Sequence, residues 1–397
     1  MRVRKRIIGE DRKKWLERIG VDKEVYDLLS KKMELHFFEI KDAPPAVGNI
    51  IKQTALSCGT DAAVHRDVIT GKKEKSSVIL FGTCRELEKV AESLKNQPFG
   101  LGRIAEDILK LLKRKPATVW KIREGEINLE KPVIMGILNV TPDSFSDGGR
   151  FFEKERAVEH GLRMVEEGAE IVDVGGESTR PGAEPVPEKE ELRRIIPVIQ
   201  ELAEKNIVVS VDTYKAKVAE EALEAGARIV NDVSALRFDE RMADVVKKYG
   251  AGLVLMHMKG TPRDMQKNPY YEDCMDEIYT FLEERIEYAR ERGVEQEKIV
   301  VDPGIGFGKR QVDNLTILKN LSELSPLGRP ILIGPSRKSF IGNILNLPPE
   351  ERIEGTLASL GWAYLGGARI FRVHDVREAK RFLSVFDEIG RSSWLSP

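Results

Sequence analysis

The sequence predicts an α/β protein in which a (β/α)8 TIM barrel follows a smaller N-terminal α/β domain. From about residue 130 onward, eight short apolar segments rich in Val and Ile alternate with amphipathic segments. Continuous apolar strands separated by helices are typical of parallel sheets covered on both faces. Eight such units in about 260 residues match the strand number and size of a TIM barrel. We therefore favour the barrel over the alternative, a doubly wound open sheet.

Each predicted strand is followed by a helical pattern. Apolar residues recur at helical spacing in segments such as residues 155–169, 215–227 and 275–293. The eight strand segments are residues 133–140, 170–176, 207–213, 228–235, 252–258, 299–304, 330–336 and 369–374. Ahead of the first strand, residues 118–129 are predicted to form a hairpin that turns at Glu124 and Gly125 and closes the bottom of the barrel.

Residues 1–115 are predicted to form the small α/β domain, and residues 116–397 the barrel domain. The predicted elements of the first domain are strands at 34–40, 62–69 and 76–82 and helices at 83–95 and 100–114. These residues carry no catalytic constellation. We expect a dimerisation or partner-binding module here, rather than an evolutionary remnant or a second enzyme.

Positive and negative charges nearly cancel, so the chain has no strong net electrostatic field. Lys and Arg number 64 and Asp and Glu 65, a formal net charge of −1. We therefore expect no nucleic-acid or membrane partner, and any anionic ligand must be bound by local groups. No apolar run approaches the roughly 18 residues that span a bilayer, and the N-terminal residues lack the apolar core of a signal peptide. With three widely spaced cysteines and no CxxC motif, we expect a cytoplasmic protein with reduced thiols.

Polar residues gather where the predicted strands end, which is where TIM barrels build their active sites. Arg372 and His374 are two apart on the last strand, so both side chains point to one face. A basic pair in a barrel mouth calls for an anion, although Arg372 alone is also consistent with a structural ion pair. Together with Arg180, in a loop bounded by Gly and Pro after the second strand, and Asn139 across the rim, the pair favours a phosphate or diphosphate, with Asn139 as a ligand for Mg²⁺.

A second group of polar residues suits a flat heterocycle. It consists of Asp212, Asn231, Asp302 and Lys338, at the ends of the third, fourth, sixth and seventh strands. A carboxylate accepts two N–H bonds from an amino-pyrimidinone edge, and a lysine donates to a carbonyl or a ring nitrogen. The alternative is a buried polar network that only holds the barrel together. Ser339 lies at a predicted helix N-terminus, where either a bound carboxylate or simple helix capping explains it.

Several motifs in order resemble those of the dihydropteroate synthase family. They are "MGILNVTPDSFSDGG", "DVGGESTRPGAEPV", "VDTYKAKVAEEAL", "NDVSA", "LMHMKGTPRDMQ", "DPGIGFGK", "GPSRKSFIG" and "RVHDV". The resemblance covers about residues 118–390 and implies a pterin-binding TIM barrel of folate biosynthesis. Such an enzyme condenses 6-hydroxymethyl-7,8-dihydropterin diphosphate with p-aminobenzoate and releases diphosphate.

The resemblance also implies a role for each matching residue. Asn139 is the expected Mg²⁺ ligand, and Arg372 and His374 are expected to grip the diphosphate. The implied pterin-binding residues are Asp212, Asn231, Val233, Met256, Asp302, Phe307, Gly334 and Lys338. Asp147 of the first loop and Thr179, Arg180 and Pro181 of the second are expected to close over the site, with Ser339 and Lys338 near the p-aminobenzoate carboxylate. Asp147, Arg180, Asp212 and Lys338 are the expected catalytic residues.

Other functions remain open on the sequence. A relative that uses a ribosylated aminobenzoate would carry the same pterin motifs. A pterin-dependent methyltransferase has no diphosphate to bind, which leaves Arg372 and His374 without a task. A non-catalytic pterin-binding protein is disfavoured because every motif residue is present. The resemblance further implies a homodimer.

Overall fold

The computed structural model describes residues 12–141, 150–178 and 184–391, with the side chains of 12–15 and 150–153 excluded. The described residues fall into two compact units that divide between Lys115 and Pro116.

The first unit is a three-stranded antiparallel sheet with helices. Its strands are β1 (Leu35–Ala43), β2 (Asp61–Val64) and β3 (Ser76–Thr83), in the order β1-β3-β2. Its helices are α1 (Arg12–Ile19), α2 (Tyr26–Ser30), α3 (Pro45–Ser57), α4 (Cys84–Leu94) and α5 (Leu101–Lys113). A core of Val, Leu, Ile and Ala side chains from α3, α4, α5 and one face of the sheet holds the unit together.

This unit differs from the sequence prediction in three helices and one strand. Helices α1, α2 and α3 are not predicted from the sequence, although Pro45 occupies the first turn of α3, where a missing N–H is harmless. The strand predicted at 62–69 ends at Val64, because Val68 N–H bonds back to the His65 carbonyl in a turn. The other predicted strands and helices agree within a few residues.

The second unit opens with a hairpin of β4 (Val119–Ile122) and β5 (Gly125–Asn128). Trp120 is fully buried, and its indole N–H donates to the Lys298 carbonyl at 2.8 Å. Trp120, Ile122, Ile127 and Leu129 pack against apolar side chains from the first residues of the barrel strands. The hairpin therefore fills the end of the barrel opposite the active-site rim.

The predicted barrel is confirmed. In the described residues, eight parallel strands follow one another around the sheet, and a bridge from Val301 to Ile331 joins the two ends. The strands are β6 (Val133–Asn139), β7 (Ile171–Gly175), β8 (Val209–Asp212), β9 (Ile229–Asp232), β10 (Gly252–Met256), β11 (Ile299–Asp302), β12 (Leu332–Ile333) and β13 (Ile370–Val373).

Helices surround this barrel in the alternating order that the apolar spacing predicts. They are α6 (Arg150–Glu166), α7 (Glu188–Glu204), α8 (Ala216–Glu224), α9 (Met242–Tyr249), α10 (Cys274–Glu291), α11 (Gln311–Lys319), α12 (Ser339–Leu345), α13 (Ile353–Leu365) and α14 (Val376–Arg391). Their apolar faces and the outward side chains of the strands form the largest core. Among the described helices, none combines the length and apolar character needed to cross a membrane.

Candidate active site

The carboxyl ends of the barrel strands bring the predicted polar residues to one rim. Because the strands are parallel, their last residues meet at the same end. Asn139 ends β6, Asp212 ends β8 and Asp302 ends β11, while Asn231 is the next-to-last residue of β9. A Cβ built on Gly175, at the end of β7, would lie 3.8 Å from both Asn139 Oδ1 and Asp212 Oδ2. Asn139, the predicted magnesium ligand, and Asp212, a predicted pterin-binding residue, therefore lie on either side of one glycine at the rim.

The centre of the site is a charge network around Arg372. Its Nε donates to Asp173 Oδ2 and its Nη2 to Asp212 Oδ2, both at 2.6 Å. Asn231 Nδ2 donates to the same Asp173 oxygen at 3.0 Å. Neither carboxylate uses the N–H donors on Nη1. The network therefore orients Arg372 firmly and leaves it donors for a further anion.

Two carboxylate oxygens in this network have no hydrogen-bond partner. Asp173 Oδ1 and Asp212 Oδ1 are buried and unpaired, as is the hydroxyl of Ser210 beside them on β8. Buried polar atoms are normally paired, so these acceptors mark a place where a ligand or water belongs. Burial raises the pKa of Asp212 to about 7, with Asp173 adding to the rise and Arg372 opposing it. A donor from a bound heterocycle would satisfy Asp212 and favour its charged form.

Lys338 and Asp302 form the opposite side of the mouth. Lys338 is the residue just before α12, and its Nζ donates to the Ile305 carbonyl. The same Nζ lies 4.6 Å from the centre of the Phe307 ring. Burial lowers the pKa of Lys338 to about 8, with Arg372 lowering it further and Asp302 and Asp212 raising it. Burial raises the pKa of Asp302, whose Oδ1 accepts the Gly304 N–H at 2.7 Å.

An apolar cluster lies at the same rim as these polar groups. Val233 and Met256 are buried in it together with Met258 and Met265. The partly buried rings of Tyr214 and Phe307 pack against the cluster. A flat ring system has apolar faces and a polar edge, so a methionine-rich, aromatic wall beside Asp302 and Lys338 suits it.

The remaining predicted residues lie on β12, β13 and the segments that follow them. Gly334 lies beside Arg372, since a Cβ built on this glycine would be in ordinary contact with Arg372 Cβ at 3.6 Å. His374 Nδ1 lies 3.0 Å from the hydroxyl of Ser336. Ser339 is exposed at the first turn of α12. The structure thus brings Gly334 to the network and leaves Ser339 at its outer edge.

Four predicted residues lie outside the described residues: Asp147, Thr179, Arg180 and Pro181. The last described residues before the second gap are held by a compact ion network. Lys215 Nζ donates to Glu177 Oε2 at 2.5 Å and to Glu191 Oε2 at 2.6 Å. Tyr214 donates to Glu177 Oε1 at 2.6 Å. Burial raises the pKa of Glu191, and Lys215 opposes that rise.

The protein groups suit a magnesium ion bound mainly by substrate. Within the described ranges, no three His, Cys, Asp or Glu side chains are grouped so that they form a metal site. Asn139 offers a single neutral amide oxygen at the rim. Mg²⁺ commonly keeps several waters and takes other ligands from phosphate oxygens. Asn139 therefore fits an ion that arrives with a diphosphate, rather than one in an all-protein cage.

Sequence reasoning missed Asp173, which pairs with both Arg372 and Asn231. It sits within an apolar strand and is indistinguishable by pattern from the rest of the buried run. It also missed the buried pair of Lys309 and His257, whose side chains meet at 2.9 Å. For Asp173 a signal existed: it lies two residues before Gly175, so its side chain points into the barrel like those at the rim.

Comparison with known proteins agrees with this geometry. Residues 135–374 match the family of pterin-binding enzymes. A dihydropteroate synthase from Clostridium beijerinckii is 49% identical over 274 residues, which cover 68% of this chain and 99% of that protein. The structure of Xanthomonas albilineans dihydropteroate synthase with 4-aminobenzoic acid is 44% identical, with a TM-score of 0.66, and covers 70% of this chain and all of that one.

A third relative aligns with nearly the whole chain. The "bifunctional dihydropteroate synthase/dihydropteroate reductase" of Helicobacter pylori is 35% identical over 390 residues, 97% of this chain and 98% of that protein. The chain belongs to the pterin-binding enzyme family. Its activity is that of a dihydropteroate synthase, which joins a dihydropterin diphosphate to p-aminobenzoate. Neither the ribosylated acceptor nor the methyltransferase gains support from these relatives.

Proposed function

We propose that the two ends of the dihydropterin diphosphate lie on different residues of the barrel mouth. Arg372 and His374 bind the diphosphate, with Asn139 beside them. The pterin ring is held by Asp212, Asn231, Asp302 and Lys338 and lined by Val233, Met256, Phe307 and Gly334. The observation that carries this assignment is the Arg372 guanidinium, which is fixed by two carboxylates and still has the Nη1 donors to offer an anion.

In this assignment the chain's own residues divide the work of the reaction. The bond between the pterin methylene carbon and the diphosphate oxygen breaks, and its electrons leave with the diphosphate, where Arg372 stabilises the negative charge. Asp212 and Asp302 lie near the ring that shares the positive charge. The p-aminobenzoate nitrogen then forms the new bond with its lone pair and gives up a proton to solvent or diphosphate. The apolar wall of Val233 and Met256 keeps water from the methylene.

A magnesium ion is the cofactor that this assignment implies. Asn139 Oδ1 would hold it, together with diphosphate oxygens and water. When bound, the ion supplies positive charge that stabilises the leaving diphosphate. Removal of the ion with a chelator is expected to weaken diphosphate affinity in the wild-type protein much more than affinity for a pterin that lacks the diphosphate.

The residues that bind the acceptor, p-aminobenzoate, are proposed from the resemblance to the family. Lys338 and Ser339 lie near the p-aminobenzoate carboxylate, where an ammonium and the first N–H groups of α12 favour negative charge. Thr179, Arg180 and Pro181 close the site from the second loop and Asp147 from the first. Arg180 and Asp147 act with Asp212 and Lys338 as the catalytic residues.

Separate binding measurements test the division between the two ends. Calorimetric titrations with inorganic diphosphate plus Mg²⁺, and with 6-hydroxymethylpterin, are compared for Arg372→Met and Asp302→Asn. Arg372→Met is expected to lose diphosphate affinity with a smaller loss for the pterin, and Asp302→Asn to show the reverse. Diphosphate affinity unchanged in Arg372→Met would refute the assignment. Arg369→Lys, at the other end of β13, serves as the control.

A second activity is favoured by the relative that aligns along the whole chain. The barrel-only relative from Clostridium beijerinckii matches 68% of this chain, whereas the bifunctional one also spans the first unit. We propose that this chain also reduces 7,8-dihydropteroate: the bond between N5 and C6 of the pterin takes a hydride on C6 from a reduced flavin or nicotinamide, which is oxidised, and a proton on N5 from solvent. The sequence expectation of a docking module for residues 1–115 is the competing proposal.

This second activity is tested on the full chain. Purified protein is incubated with 7,8-dihydropteroate and either a reduced flavin or a reduced nicotinamide, and the pterin is examined by mass. A product heavier by two hydrogens, absent with heat-denatured protein, is the expected result. No reduction with either donor would remove the proposal and leave the docking role.

We also propose that the protein is a homodimer in the cytoplasm. Its other binding partners are its small-molecule substrates. Exposed apolar side chains on neighbouring helices support the dimer: Trp362 and Leu365 on α13, and Val385 and Ile389 on α14. Apolar clusters of this kind on a protein surface mark interaction sites. The free thiols of Cys58, Cys84 and Cys274 suit a reducing compartment.

A further inference from the structure

Lys309 is a buried lysine that the proposed chemistry does not use. Its side chain is only 3% exposed. Its Nζ lies 2.9 Å from His257 Nδ1 and donates to the carbonyls of Phe307 at 3.0 Å and His257 at 3.3 Å. None of these three partners is a carboxylate. Burying a charged amine that contacts no carboxylate costs free energy, so the contacts of Lys309 call for an explanation.

His257 is as deeply buried as its partner. It is 5% exposed, and its ring packs edge-on against Phe281 with centroids 4.8 Å apart. Burial lowers the pKa of His257 well below its usual value, and Lys309 lowers it further. The imidazole is therefore neutral, and in the tautomer that carries its proton on Nε2, Nδ1 accepts an N–H from Lys309. Together the pair links the segment after β10 to the segment after β11.

The segment that Lys309 holds, residues 304–308, fits closely against the backbone that follows β10. Gly304, Gly306 and Gly308 have φ of 68°, 82° and 63°, which only glycine adopts readily. A Cβ on Gly304 would overlap the His257 carbonyl, and one on Gly308 would overlap the Lys259 carbonyl. The segment can thus approach the β10 side without side chains between them, and Lys309 fastens it there.

This segment also carries part of the pterin pocket. Its Ile305 carbonyl accepts from Lys338, and its Phe307 ring lies under the same Lys338 Nζ. Lys309 therefore holds the backbone of Phe307 from one side while Lys338 contacts its ring. A shift of the segment by a fraction of an ångström would move both the Phe307 wall and the Lys338 ammonium.

We propose that Lys309 and His257 are positioning residues for the pterin pocket, which fix the segment of residues 304–308 so that Phe307 and Lys338 meet the ring in one geometry. The inference rests on the proposed pterin roles of Phe307 and Lys338. It assigns no contact with substrate to Lys309 or His257. Its signature is a loss of pterin affinity that exceeds any loss of p-aminobenzoate affinity, since Phe307 and Lys338 both contact the ring in the proposed assignment, whereas of these two only Lys338 lies near the p-aminobenzoate carboxylate.

The test compares matched variants in steady-state kinetics. Lys309→Met keeps the unbranched shape and most of the length of the side chain and removes its donors. We expect it to raise KM for the pterin diphosphate about tenfold, with kcat and the p-aminobenzoate KM changed less than about threefold. His257→Leu should act similarly. His257→Asn, whose amide oxygen can take the place of Nδ1, should restore most of the loss. Lys319→Met, an exposed lysine on α11, is the control.

Thermal unfolding of the same variants separates positioning from plain structural support. A lower melting temperature with unchanged pterin KM in both Lys309→Met and His257→Leu would overturn the inference. If Lys309→Met does not fold, the pair His257→Leu and His257→Asn decides it: equal kinetics for the two would refute positioning. Wild-type protein that forms no dihydropteroate would instead count against the proposed function, so the two failures are distinguishable.

Discussion

Arg372 contacts Asp173 and Asp212 through two different nitrogens of one guanidinium, each at 2.6 Å. Asp173 also accepts from Asn231, so a single fully buried carboxylate connects the residue proposed for diphosphate with one proposed for the pterin. The two halves of the site are therefore mechanically coupled. A substitution at either carboxylate should weaken binding of both the diphosphate and the pterin ring.

Replacement of Arg372 by lysine should be severe even though the charge is kept. One ammonium cannot bridge both carboxylates and still present donors to an anion. We expect kcat/KM for the pterin diphosphate to fall about 100-fold, which corresponds to about 2.7 kcal/mol of lost transition-state stabilisation. Steady-state kinetics check this, with Arg369→Lys as control. A loss of less than about threefold would contradict the bridging role.

Asp173→Asn should impair the enzyme although Asp173 acts only through its neighbours. The amide keeps the shape but removes the charge that holds Arg372 Nε and Asn231 in place. We expect KM for the pterin diphosphate to rise about tenfold. Asp387→Asn is a matched control, because Asp387 is also buried and bonded, to Tyr364 and Arg391, on the outer helix α14. Equal kinetics for the two variants would show that Asp173 has no special role.

The alkaline limb of the pH–rate profile should follow Lys338. Its pKa is lowered to about 8, so its positive charge, and any donor function that depends on it, is lost as pH rises through that value. In Lys338→Arg the guanidinium stays protonated, and the limb of whatever activity remains should move to higher pH. Profiles of kcat/KM between pH 6 and about 10 measure this. An alkaline limb at the same pH in both proteins would assign it to another group.

Lys309 should make the free energy of unfolding depend on pH in a definite direction. Burial lowers its folded pKa to about 7 from 10.5, Lys338 lowers it too, and Cys274, Asp302 and Asp313 oppose the shift. Between these values the unfolded chain binds the extra proton, so the contribution of Lys309 to stability rises with pH. Urea unfolding at pH 7 and 9 measures this. Between the two pH values, the free energy of unfolding of the wild type should rise by about 2 kcal/mol relative to that of Lys309→Met. A constant difference would mean the folded pKa is not depressed.

The proposed homodimer predicts a specific effect of surface charge. Ile389→Glu places a carboxylate in the exposed apolar face of α13 and α14 and should shift the protein toward monomer. Sedimentation velocity over a range of concentrations measures this. Val312→Glu, an exposed apolar position on α11, should leave the mass unchanged. A dimer that persists in Ile389→Glu would place the interface elsewhere.

The barrel was predictable because each of its strands is a short apolar run followed by a helical pattern, and the rim residues interrupt those runs with polar side chains. This pattern predicts the positions of Asn139, Asp212, Asn231, Asp302 and Arg372 near the strand ends. Helix α3 escaped because its proline start and mixed composition give little apolar periodicity.

Contacts between residues far apart in the sequence could not be predicted for a different reason. Asp173 reads as one polar residue in an apolar strand, and Lys309 as the end of a glycine-rich turn. Their roles come from Arg372, 199 residues away, and His257, 52 residues away. No local pattern in either segment records such partners.

The most direct test of the account is a product analysis with the Arg372 variants. Purified wild type, Arg372→Met and Arg369→Lys are incubated with Mg²⁺, 6-hydroxymethyl-7,8-dihydropterin diphosphate and p-aminobenzoate, and both products are quantified, the pterin by mass. We expect equal amounts of dihydropteroate and diphosphate from wild type and Arg369→Lys, and almost none from Arg372→Met. Wild-type rates in Arg372→Met, or diphosphate release without incorporation of p-aminobenzoate, would contradict it.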